Sequence, residues 1–138
     1  MSADLIEAAI AAMAKAYAPY SNFPVGAALR GADGGLHSGC NVENAAYPQG
    51  CCAEASAISA MVLAGERRIV EVAVAGEGEM LVTPCGGCRQ RLREFAADDV
   101  LIHLCGPRGL RRSVTLGELL PLSFGPDHLG GHQGGAGD

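Results

Sequence analysis

Cys52, Cys85 and Cys88 constrain this chain more than any other residues, because they stand at the spacing of a metal site. Cys52-Ala53-Glu54 is a C-x-E, and Pro84-Cys85-Gly86-Gly87-Cys88 is a P-C-x-x-C. Three thiolates fill three corners of a zinc tetrahedron and leave the fourth for water, the coordination of a catalytic site rather than a structural one. Any fold that serves this pattern must bring the two segments together. Glu54 sits beside the first ligand, placed to move protons for the metal's water. Cys51 competes with Cys52 as a ligand, but only Cys52 makes the C-x-E. None of His37, His103, His128 or His132 lies at ligand spacing, so no fourth protein ligand is expected. A redox reading of Cys85 and Cys88 leaves Cys52 and Glu54 unexplained. Cys40, Cys51 and Cys105 are expected to be small buried hydrophobes.

The remaining bulk properties exclude several classes. A chain of 138 residues supports one domain with a core of its own. We expect it to occupy residues 1–125, followed by a Gly-rich flexible tail over 126–138. The net charge of -5 argues against a nucleic-acid partner, which needs a basic face. No apolar run approaches the roughly 18 residues of a membrane span. Asp4 and Glu7 make the N-terminus unlike a signal peptide. Cysteines in a chain without an export signal suit a reducing compartment, so a cytoplasmic location is expected.

Along the chain, Asp4 to Glu7 resembles a capping box, and Ile6, Ile10, Met13 and Tyr17 follow at helical spacing until Pro19. Val25 to Leu29 and Leu36 to Val42 read as a hairpin around the turn 31–35. Pro48-Gln49-Gly50 breaks the chain before a helix over 51–63. Between Ala45 and Gly65 the only charged residue is Glu54, so this helix reads as buried all round. Burial should raise the Glu54 pKa, which suits a group that takes and gives a proton near neutrality. An acid is also welcome at a helix start for its own sake. Ile69 to Ala75 is a third strand. A helix over 85–95 follows, with Arg89, Arg91, Arg93 and Glu94 expected on its exposed parts. Strands over 100–104 and 110–115 are joined by only five residues, too few for a parallel crossover, so they should pair antiparallel. Thr115 to Glu118 is a capping box for a short last helix. Both ligand groups therefore fall at helix starts, where backbone N–H groups and the helix dipole favour thiolates.

Four blocks give a resemblance. They are Pro19-Tyr20-Ser21-Asn22-Phe23-Pro24-Val25-Gly26-Ala27-Ala28, Gly39-Cys40-Asn41-Val42-Glu43-Asn44-Ala45-Ala46-Tyr47, Cys52-Ala53-Glu54 and Pro84-Cys85-Gly86-Gly87-Cys88-Arg89-Gln90. In order and spacing the chain resembles the small homotetrameric cytidine deaminases, from about Leu5 to Phe124. The resemblance implies a three-layer α/β/α fold with a mixed five-stranded sheet and an antiparallel last strand. It implies one zinc ion per subunit on Cys52, Cys85 and Cys88, with Glu54 as proton shuttle. Zinc-activated water would attack C4 of cytidine or 2′-deoxycytidine, giving uridine or 2′-deoxyuridine and ammonia in pyrimidine salvage. By the same resemblance Phe23 packs on the pyrimidine and Asn41 and Glu43 hydrogen-bond the ribose 3′-hydroxyl. Ala53 joins the substrate-binding residues. Ala45, Tyr47 and Phe124 complete a neighbouring subunit's pocket.

Deaminases of the tRNA-adenosine type place a helix between the last two strands. The short link here and the acidic charge therefore point to a free nucleoside. Another aminopyrimidine nucleoside, of the blasticidin kind, is an alternative substrate. A non-enzymatic zinc module is a third reading, disfavoured by an open coordination site beside Glu54. One departure stands out: many relatives carry arginine directly after the C-A-E glutamate, where it bonds the thiolates, and here that residue is Ala55. Helix-start N–H groups are expected to compensate, with Arg89 or another donor as alternatives.

Overall fold

A computed structural model describes residues 2–130. In chain order the elements are α1 (Ser2–Met13), β1 (Val25–Gly31), β2 (Leu36–Cys40), α2 (Ala53–Leu63), β3 (Ile69–Gly76), α3 (Gly86–Arg93), β4 (Ala96–Gly106), β5 (Gly109–Thr115) and α4 (Leu116–Leu119), with single 3-10 turns at Tyr47–Gln49 and Pro126–Leu129. The five strands form one sheet in the order β2-β1-β3-β4-β5. β3 and β4 run parallel, linked through α3. The other neighbouring pairs are antiparallel, including β4 with β5.

The alternation along the central strands explains the layers. Side chains two apart share a sheet face. Leu29, Val72, Val74, Ile102 and Leu104 are large and buried on one face, packed with Ala53, Ala57 and Met61 of α2, Leu92 of α3 and Leu116 of α4. The opposite face offers Ala28, Ala73, Ala75 and Cys105, and α1 covers it with Leu5, Ala9 and Met13. Small residues bring that helix close. A Cβ on Gly26 would run into the Ala9 carbonyl and the Met13 backbone. On the other side a Cβ on Gly39 would strike the Ala57 and Ser56 backbone, so α2 lies directly against β2. The expected α/β/α sandwich with a mixed five-stranded sheet is therefore the fold.

Several expectations are corrected. α1 begins at Ser2, so Asp4 sits inside its first turn, where it pairs with Arg30 at 2.6 Å and does not cap. Its buried stripe is Leu5, Ala9 and Met13; Ile6 and Ile10 are half-buried and Tyr17 is exposed. α2 is not buried all round. It hides Ala53, Glu54, Ala57, Ile58 and Met61, while Leu63 at its end is 90% exposed. β4 starts at Ala96 rather than Val100. Arg93 is buried, with its guanidinium on Ser123 at 2.8 Å and on Asp127 at 2.9 Å. Asp127 belongs to the 3-10 turn Pro126–Leu129; of the segment 126–138 expected to be a flexible tail, residues 131–138 lie outside the described residues. The capping box at Thr115 and Glu118 is present as read. Among the described residues, no helix is long and apolar enough to cross a membrane.

Candidate metal centre

The two sequence breaks place the ligands. Cys52 is the N-cap of α2 and Cys85 the N-cap of α3, both in extended backbone, with Cys88 one turn into α3. The two helices share a sheet face, so their first turns converge. The three Sγ atoms lie within 4.8 Å of one another. A tetrahedral zinc with Zn–S near 2.3 Å would set them about 3.8 Å apart, so one ion fits among them. Cys51 is outside the cluster. It is exposed, with its sulfur near the Cys52 carbonyl and the Ser56 hydroxyl. Cys105 is a buried core residue as expected, whereas Cys40 is only half-buried.

The site electrostatics follow from helix geometry and burial. Cys85 accepts from the backbone N–H groups of Cys88 and Gly87, which hold its thiol below the ordinary value. Burial pushes the Cys52 and Cys88 thiols up, so a metal must displace their protons on binding. Glu54 is 4% exposed. Burial pushes its carboxyl up, against opposing hydrogen bonds from its own backbone N–H and from Cys88 and against the charge of Arg91. The lone carboxylate of α2 is thus the desolvated group its sequence context predicts.

Cys52, Glu54 and Cys85 line a cavity of about 270 Å³ together with Ala53, Phe23, Asn41 and Glu43. Val25, Val82 and Thr83 add to its walls. Asn41 and Glu43 are anchored to the segment that carries Phe23. The Asn41 side chain accepts from the Val25 N–H at 2.9 Å and donates to the Phe23 carbonyl at 3.0 Å. Glu43 accepts from the backbone N–H groups of Tyr20 and Ser21, each at 3.0 Å, and from the Ser21 hydroxyl. The Ser21 contacts hold the Glu43 carboxyl below the usual range.

Three expected substrate residues lie elsewhere in the chain. Ala45 is exposed and does not line the cavity. Tyr47 is 76% exposed and lines an adjoining depression with Tyr20, Glu43 and Asn44. Phe124 is half exposed and stacks on His128, ring centroids 5.0 Å apart. A single chain does not bring them to the sulfurs.

Arg89 does not compensate the thiolates. Its guanidinium is turned to the Pro84 and Leu119 carbonyls and the Thr83 hydroxyl, at 2.7 to 3.0 Å. The arginine at the sulfur is Arg91, whose Nη1 lies 3.7 Å from Cys88 Sγ. Sequence reasoning placed Arg91 only on an exposed surface; its i, i+3 spacing from Cys88 was the signal that could have found it.

The comparisons with known proteins agree with this geometry. Residues 2–104 match the family model described as the cytidine and deoxycytidylate deaminase zinc-binding region. The chain is 42% identical over 115 residues to a cytidine deaminase of Sporosarcina psychrophila, covering 83% of this chain and 85% of that protein. It is 45% identical over 120 residues to a cytidine deaminase of Mycobacterium tuberculosis, covering 86% and 85%. A crystal structure of cytidine deaminase from Burkholderia pseudomallei superposes with a TM-score of 0.84 at 45% identity, covering 90% of this chain and 99% of that one.

Proposed function

The chain belongs to the cytidine and deoxycytidylate deaminase family, and from that premise we propose that it hydrolyses cytidine and 2′-deoxycytidine to uridine or 2′-deoxyuridine and ammonia. The observation that carries this reading is the buried Glu54 carboxyl beside three clustered sulfurs, in one cavity with Phe23 and Asn41. The all-sulfur donor set of Cys52, Cys85 and Cys88 suits zinc. Bound there, zinc supplies Lewis acidity that makes water a nucleophile near neutral pH.

The protein's own residues do the rest. Glu54 takes the proton of the attacking water and delivers it to N3 of the pyrimidine while oxygen adds to C4. It then carries the second proton to the amino nitrogen, and the C4–N bond breaks to release ammonia. A carboxyl raised by burial is suited to both directions of transfer. Phe23 offers an aromatic face to the base. Asn41 and Glu43 reach the ribose 3′-hydroxyl from positions already fixed by the 20–25 segment, so deoxyribonucleosides also bind. The acidic chain favours a free nucleoside over a nucleic acid.

We further propose a homotetramer in which Ala45, Tyr47 and Phe124 complete a neighbouring subunit's pocket. The exposure of Tyr47 and Phe124 and their position outside the cavity that holds the sulfurs support this arrangement. Three reduced thiols suit the cytoplasm, where the reaction would serve pyrimidine salvage. An ammonia-release assay on cytidine, 2′-deoxycytidine, cytosine and cytidine 5′-monophosphate tests the reading. Turnover of the two nucleosides, with little on the others, is the expected result. No release from either nucleoside by zinc-loaded protein would refute it.

A further inference from the structure

We propose that Arg91 is a positioning residue of the metal centre: its guanidinium donates to the Cys88 sulfur and offsets the centre's negative charge. The inference rests on the zinc reading above. Three thiolates and Glu54 carry four negative charges against the two positive charges of zinc, and an electron-rich ion is a poorer Lewis acid. The surroundings must supply positive potential. At Cys85 it comes from the N–H groups of Gly87 and Cys88. At Cys88 it comes from Arg91, with Nη1 at 3.7 Å from the sulfur.

The local sequence builds this contact. Cys88 and Arg91 are three apart on α3 and so lie on one helix face. The Arg91 guanidinium lies over Gly87, 3.4 Å from where a Cβ would stand there. Arg91 lines a groove together with Ala55, Gln90 and Glu94, and Ala55, directly after Glu54, brings no charge of its own. Arg89, the nearer arginine in sequence, is fully engaged with Pro84, Leu119 and Thr83. Arg91 is therefore the cation that reaches the sulfurs. Outer partners of this kind typically change metal affinity by about 10- to 100-fold.

The test uses full-length protein with Arg91→Met, which keeps the apolar stem and removes the charge, and Arg91→Lys, which keeps the charge. Zinc affinity is measured by competition with a chromophoric chelator, and the thiolate-to-cobalt charge-transfer band is recorded on cobalt-substituted protein. Metal-free melting temperatures within a few degrees of wild type verify folding. Arg91→Met should bind zinc roughly tenfold or more weakly and move the cobalt band, with Arg91→Lys closer to wild type. Arg91→Met binding within about twofold of wild type with an unmoved band overturns the proposal. Equal losses in both variants also overturn it, because charge would then be irrelevant. Neither readout involves substrate, so a protein inactive on cytidine refutes the proposed reaction without touching this result.

Discussion

Neighbouring residues of one type can have unrelated fates, and Cys51 and Cys52 are the clearest pair. Only Cys52 contributes to the sulfur cluster. Cys52→Ser should lose stoichiometric zinc while Cys51→Ser keeps it, as read from the zinc-to-protein ratio by elemental analysis. The choice between them was legible in the chain because a helix start sets the C-x-E spacing locally. The choice among Arg89, Arg91 and Arg93 was not. Alternate helix positions point to nearly opposite sides. Which side meets the sulfurs is set by how α3 seats against α2, a tertiary matter. One of these arginines grips carbonyls, one a thiolate and one the Asp127 carboxylate. The second role of Asn41 and Glu43, pinning the 20–25 segment, was equally hidden, since it depends on partners far away in sequence.

At the scale of elements, the helices are held by close approach and by one polar chain. Gly39 lies against the start of α2 with no room for a side chain. Gly39→Ala should destabilise by about 1–3 kcal/mol in urea unfolding, since overpacking forces backbone shifts. The polar chain runs from Ser2 of α1 to Glu71 of β3, then to His103 of β4 and Ser113 of β5, at 2.5 to 2.7 Å per link. Burial pushes the Glu71 carboxyl up, but its bonds to Ser2 and His103 prevail and hold it below its ordinary value of 4.5. Glu71 therefore stabilises the fold above about pH 4.5, and this contribution is lost as pH falls through its depressed folded pKa. Unfolding free energy should drop more steeply between about pH 5 and pH 3 in wild type than in Glu71→Gln. The β1–β2 hairpin and the antiparallel β4–β5 pair were within reach of loop-length arguments, whereas the β1–β3 pairing at the centre of the sheet was not. The buried stripe of α1 was read correctly only at Met13, because Leu5 and Ala9, rather than the isoleucines, fit against a sheet face of small residues.

For the molecule as a whole, a single chain leaves Leu63 at 90%, Tyr47 at 76% and Leu122 at 105% exposure. The proposed tetramer would cover such side chains, and that reading rests on family resemblance alone. Phe124→Ala should raise KM for cytidine several-fold while zinc content is unchanged; an unchanged KM would place Phe124 outside any pocket. Because the three-sulfur site exists only in the folded chain, bound zinc stabilises the fold, and chelation should lower the melting temperature of the protein, measurable by scanning calorimetry. In the proposed reaction one buried carboxylate beside a three-thiolate zinc site performs hydrolytic deamination. Its most direct test is uridine formation by Glu54→Gln, with zinc content determined on the same sample. Full zinc with turnover lowered by roughly 100-fold or more is predicted. Zinc-loaded Glu54→Gln that converts cytidine within about tenfold of wild type would contradict the account.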